Sequence, residues 1–224
     1  MLARSQAKVD TSGLDINWFS RGVLSELPFP GTKAFGALTV DLEPFKIDPT
    51  KIVAETPSNK LSDVGIRFGL ANGNIELAFF YTGFRLLAAP LQKSYPADIG
   101  QLMTYAVKHL GFGDLSSLGG HFKVRYHCHL RLDGGQGSLT DYFRGIVGSK
   151  VGGFEPDRVS FRFVPPDSEG VKAASILVEA SRKIDEGLYV ECNLELDAPS
   201  QFQGLTERSR EIVGYGMESV GLQF

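Results

Sequence analysis

The chain has 224 residues, 42% hydrophobic and 22% charged, with a formal net charge of -3. That length suits one large domain or two small ones packed closely, and it buries enough apolar surface to fold without staples. The slightly acidic balance argues against a protein whose work is electrostatic attachment to nucleic acid, although a local basic patch stays open. Cys128 and Cys192 are too few for a disulfide framework, and both fall on the apolar parity of their strands, as buried thiols do. The first residues lack the apolar core of a secretory signal, and no run approaches the ~20 apolar residues of a bilayer span. A cytoplasmic protein is the expectation.

In chain order, residues 1–13 read as a polar end. Leu14–Pro30 carries the only tryptophan and no clear period, so 1–30 reads as an N-terminal arm ahead of a body at 31–224. Ile16, Trp18, Phe19 and Phe29 are its candidate interface residues, because aromatic side chains are favoured anchors. Ala34–Glu43 reads as a strand with Leu38, Val40 and Leu42 on one parity. Residues 44–62 read as a surface excursion, rich in Pro, Lys, Asp and Ser. Val64–Leu70 alternates, reaches Asn72-Gly73, and returns through Ile75–Leu87 as a hairpin. Ala97–Leu110 has helical spacing.

The stretch His121–Leu132, HFKVRYHCHLRL, has the clearest period-two pattern. Phe122, Val124, Tyr126, Cys128, Leu130 and Leu132 share one side; His121, Lys123, Arg125, His127, His129 and Arg131 share the other. Successive strand residues point to opposite faces, so this is a long strand with one apolar and one basic face. Asp133–Gly137 breaks it, Ser138 opens a short helix, and Val159, Phe161 and Phe163 mark another strand. Ala174–Lys183 and Leu188–Asp197 are strands joined by Asp185-Glu186-Gly187, and Ser200 precedes a helix through about Val213.

Alternating strands that are apolar on one side indicate an antiparallel sheet. The expected fold is α+β: a twisted antiparallel sheet packed against a mid-chain and a C-terminal helix. A hairpin followed by a helix in each of 31–115 and 116–224 hints at internal duplication.

The candidate binding residues are Lys123, Arg125, His127, His129 and Arg131, a surface suited to an anion or an acidic partner. The acidic outer side of Leu188–Asp197 offers a plainer role, charge pairing between neighbouring strands, each pair contributing about 0.2–1 kcal/mol. His127 and His129 are spaced to chelate jointly, yet Lys123 and Arg125 beside them disfavour a dication, so no metal is expected. The chain has no GxSxG, GxxxxGK[ST] or CxxC, and neither catalytic residues nor a cofactor are assigned.

From about Val64 onward the chain resembles a sporadically distributed family of uncharacterised bacterial proteins of similar length. The likeness rests on the hairpin Leu70–Phe84, on VRYHCHLRL followed by LTDYF, and on LYVECNLELD before the terminal helix. An Arg-x-x-(apolar)-Arg-Tyr strand precedes a short helix in that family; here Lys123-Val-Arg125-Tyr126 keeps part of it. The resemblance implies architecture and a bacterial source, and transfers no active site.

The functional expectation is a non-enzymatic bacterial protein acting through protein–protein contacts, as a homo-oligomer or a subunit of a complex. Two alternatives come from other classes. One is a small apolar ligand held among Phe79, Phe80, Phe84, Phe161 and Phe163. The other is RNA or DNA binding or processing on the basic strand 121–131.

Overall fold

A computed structural model describes residues 5–24, 26–55, 63–91, 95–110, 120–132, 138–147, 158–163, 171–197 and 202–223. The break at 133–137 lies outside these residues. The first half runs β1 (Ser5–Phe19), α1 (Lys33–Leu42), β2 (Ile52–Glu55), β3 (Gly65–Leu70), β4 (Ile75–Phe80), β5 (Gly83–Ala88) and α2 (Tyr95–His109). The second runs β6 (His121–Leu132), α3 (Ser138–Val147), β7 (Arg158–Phe163), β8 (Val171–Ala180), β9 (Gly187–Asp197), α4 (Phe202–Ser219) and β10 (Leu222–Gln223). The fold is α+β.

The strands form one sheet in the order β2-β3-β4-β5-β1-β6-β9-β8-β7, each neighbour antiparallel to the next. The short β10 pairs in parallel with the start of β1.

The N-terminal arm is the main correction. Residues 5–19 of it are β1, the central strand, hydrogen-bonded to β5 on one side and to β6 on the other. Ile16 and Trp18 are 0% and 1% exposed, because Leu14, Ile16 and Trp18 point to the helix side of the sheet. They are core residues rather than interface anchors. Phe29 is partly buried against the same core, and Phe19 alone of the four interface candidates stays substantially exposed. One hydrophobic cluster runs through both halves of the chain.

The stretch expected as a strand at 34–43 is instead α1. Leu38 and Leu42 are buried and Val40 is exposed, which is a four-residue repeat rather than a two-residue one. Thr32 decides the matter locally: its Oγ1 accepts the Phe35 N–H at 3.1 Å and caps the helix. The excursion at 44–62 contains β2, paired with β3. Asn72 and Gly73 turn the chain with φ of 61° and 88°, a backbone that Asn and Gly tolerate best. The return expected at 75–87 is two strands, β4 and β5, folded at Tyr81-Thr82.

Helices α1, α2 and α4 bury Leu38, Leu42, Ile99, Leu102, Met103, Ile212, Val213 and Met217 with Phe122, Val124, Cys128 and Leu130 of β6. They therefore lie on the apolar side of the sheet, and the body has two layers. Cys128 and Cys192 are buried free thiols there, pushed up to about 12 by burial and unreactive at neutral pH.

Candidate functional site: the polar face of the sheet

The side of the sheet away from the helices is built by the odd residues of β6 and β9 and by those of β1 from Thr11 onward. Register fixes the rows: Asn17, Lys123 and Glu195 in one, Asp15, Arg125 and Asn193 in the next, then Gly13, His127 and Glu191, then Thr11, His129 and Tyr189. The period-two reading of β6 therefore holds, and the acidic strand β9 lies beside it.

Asp15 is the hub of this face. Its side chain is 5% exposed, yet it carries four hydrogen bonds. Arg85 on β5 donates Nε and Nη2 at 2.9 and 2.8 Å; Arg125 on β6 donates Nη2 at 2.8 Å; Asn17 donates Nδ2 at 2.9 Å. A carboxylate this buried is tolerable because charged and polar donors replace its water. The arrangement ties three adjacent strands together. The Asp15 carboxylate also holds Arg85 above the usual guanidinium pKa.

Among the described residues nothing takes Nε or Nη1 of Arg125, whose side chain is 44% exposed. Lys123 lies 5.8 Å from the Phe19 ring centroid and 3.7 Å from Glu195 Oε1, a loose contact. Phe19 in turn stacks on His121 with centroids 5.3 Å apart. Asp15, Asn17, Lys123, Arg125, Ser175, Asn193 and Glu195 line an open depression of about 510 Å³ over β1, β6, β9 and β8.

The remaining basic candidates lie farther along β6 and have partners of their own. The His127 ring sits on Gly13, where a Cβ would come within 2.6 Å of its Nε2. His129 is 6% exposed and its Nδ1 lies 2.8 Å from Ser181 Oγ. Ser181 Oγ already accepts the Lys183 and Ile184 N–H groups, so its own proton goes to His129 Nδ1. That fixes His129 as a neutral imidazole protonated on Nε2. Arg131 is exposed and meets Asp10 at 3.2 Å. The five candidates thus separate: Lys123 and Arg125 face the depression, His127 and His129 lie against the Tyr189 ring, and Arg131 pairs with Asp10.

On β9, Glu191 accepts from Tyr189 Oη at 2.7 Å and Asn193 Nδ2 at 2.8 Å. Burial works against its ionisation, but these bonds and the Arg125 charge outweigh that and hold the carboxyl below its usual pKa. Among the described residues no group of three His, Cys, Asp or Glu is placed to hold a metal ion. No described helix is long and apolar enough to cross a membrane.

The histidines carry a pH prediction. Burial first, then Arg125 for His127 and Lys183 for His129, push both below the ordinary 6.5; Glu191 and Asp10 oppose this weakly. An unfolded chain therefore takes up protons near 6.5 that the folded chain refuses. The associated stability is present above that pH and is lost as pH falls through the folded values. Urea midpoints should drop between about pH 7 and about pH 5, ahead of carboxylate titration, and His127→Gln/His129→Gln should flatten that slope.

Asp15, Asn17 and Arg85 were not among the sequence candidates. A signal existed, since Leu14, Ile16 and Trp18 alternate with Asp15 and Asn17, but without β6 as a partner the alternation is short. Comparison with protein-family models and with curated proteins found no match.

Proposed function

We propose that the protein is a non-enzymatic binding component, a subunit of an oligomer or complex, that meets its protein partner through the polar face of the sheet. The observation that carries this reading is the half-exposed Arg125 guanidinium, anchored from behind by buried Asp15 and open toward the depression. Arginine and exposed aromatic rings are favoured at interfaces, and Phe19 lies farther along the same face, 5.8 Å from Lys123 and in register with His121. The depression is wide and polar, unlike the enclosed apolar sites that take small ligands.

Neither alternative gains comparable support. Phe79 packs edge-on to Phe68 and Phe84 stacks with Trp18, so these two buried rings are already packed; the side chains of Phe161 and Phe163 lie outside the described residues. Asp15, Glu191 and Glu195 interrupt the basic face, which disfavours a phosphate backbone.

Sedimentation of the native chain at tens of micromolar, paired with affinity capture from its host, tests the proposal. The expected result is a species above 24.4 kDa, or a captured protein, that Lys123→Glu/Arg125→Glu abolishes without unfolding the chain. A strict monomer whose captured proteins are the same for both forms would overturn it.

A further inference from the structure

We infer that the depression at Arg125 is a reading site for a single carboxylate, presented as a Glu or Asp side chain on the partner surface. The inference deepens the proposed function and rests on it for the source of the carboxylate. Three observations lead to it.

First, two guanidiniums share one carboxylate. Asp15 engages both Arg85 and Arg125, and it takes only one Nη of Arg125. The Nε and Nη1 donors of Arg125 have no partner among the described residues; they lie on opposite sides of the guanidinium, and either one, with the second Nη2 hydrogen, presents the two-donor edge that a carboxylate accepts. Asp15 is the positioning residue: nearly fully buried, it fixes the plane in which those donors are offered.

Second, Lys123 stands two residues away on the same face and is held only loosely by Glu195 at 3.7 Å. It supplies a second positive charge to an incoming anion without a strong bond to break.

Third, Glu191 and Glu195 on β9 limit how much negative charge the site accepts. Around Arg125 the three cations Arg85, Lys123 and Arg125 stand against the three carboxylates Asp15, Glu191 and Glu195, with the cations on β5 and β6 and the two glutamates on β9. One carboxylate seated at Arg125 is favoured; a second lying over β9 meets like charge. Asn17 and Asn193 each give one amide hydrogen to Asp15 and Glu191, and their oxygens are placed to accept from donors beside the ligand carboxylate. The partner chemistry is thus one acidic side chain flanked by hydrogen-bond donors, not an acidic run and not a polyphosphate. The open mouth suits a side chain delivered from a surface rather than a free metabolite, which an enclosed pocket would hold better.

The test is a titration of the full chain followed through arginine Nε–H resonances, with the Arg125 signal identified by its loss in Arg125→Lys. The probes are N-acetyl-glutamate α-amide, its glutamine counterpart, acetate, and sodium chloride at matched ionic strength. The glutamate probe and acetate should shift the Arg125 resonance saturably, while the glutamine probe and chloride should not. Lys123→Ala should weaken the glutamate probe several-fold. Equal shifts from chloride or the glutamine probe, no shift at all, or a response to acetate without one to the glutamate probe would each overturn the inference. A chain that binds the glutamate probe yet stays monomeric and captures nothing would retain the site and lose the proposed function; self-association unaffected by Arg125→Lys would do the reverse.

Discussion

Asp15→Ala should lower folding stability by about 2–4 kcal/mol, measured by urea unfolding at neutral pH. The side chain is 5% exposed, and its removal leaves Arg85 and Arg125 facing each other across β1 with no counter-ion between them. Loss of a buried partner of this kind usually costs about 3–5 kcal/mol. The lower range applies because Arg85 and Arg125 are 33% and 44% exposed, so water solvates part of the charge left behind. Arg125→Ala should be milder, about 1 kcal/mol, since Arg85 still satisfies both carboxylate oxygens. An Asp15→Ala protein as stable as the parent would mean that the carboxylate does not join the strands.

Trp18→Ala should cost about 3–5 kcal/mol, read by circular dichroism because the only tryptophan is lost. Trp18 is 1% exposed, stacks on Phe84 with centroids 5.7 Å apart, and packs its indole against Gly120. No described side chain moves in cheaply to fill that volume, since Phe84 and Phe122 are themselves fully buried in the same layer. The contrast with an interface residue is sharp. An anchor for a neighbouring subunit would leave the unfolding of the monomer unchanged and weaken association; a core residue does the opposite.

Those two residues also show what the sequence could and could not reveal. Twelve alternating residues in β6 outweigh any local ambiguity, so its two faces are legible by parity alone. β1 is longer, yet its first half lacks that parity, with a bulge between Val9 and Thr11 and the small residues Ser12 and Gly13. Its apolar stretch at Leu14–Trp18 then reads as an isolated greasy segment rather than a central strand. The α1 segment failed for a different reason. Leu38 and Leu42 fit a two-residue and a four-residue repeat equally well, and only the cap at Thr32 and the exposed Val40 separate the two.

The site was legible in half. Lys123 and Arg125 followed from strand parity, and the acidic parity of β9 invited pairing with it. Asp15 and Arg85 lie 110 and 40 residues from Arg125 in the chain, and only the strand order β5-β1-β6 brings the three together. Nothing local marks a buried aspartate as shared by two arginines. The separation of His127, His129 and Arg131 from the depression was equally non-local, since it depends on Gly13, Ser181 and Asp10.

The central claim is that Asp15 and Arg125 act as a coupled pair, the buried carboxylate aiming the half-exposed guanidinium. A double-mutant cycle in urea with Asp15→Ala, Arg125→Ala and the double variant tests it most directly. The account predicts non-additivity of about 1–3 kcal/mol, as residues sharing one hydrogen-bond network give. Additivity within about 0.5 kcal/mol would contradict it and leave Arg125 as an ordinary solvated cation.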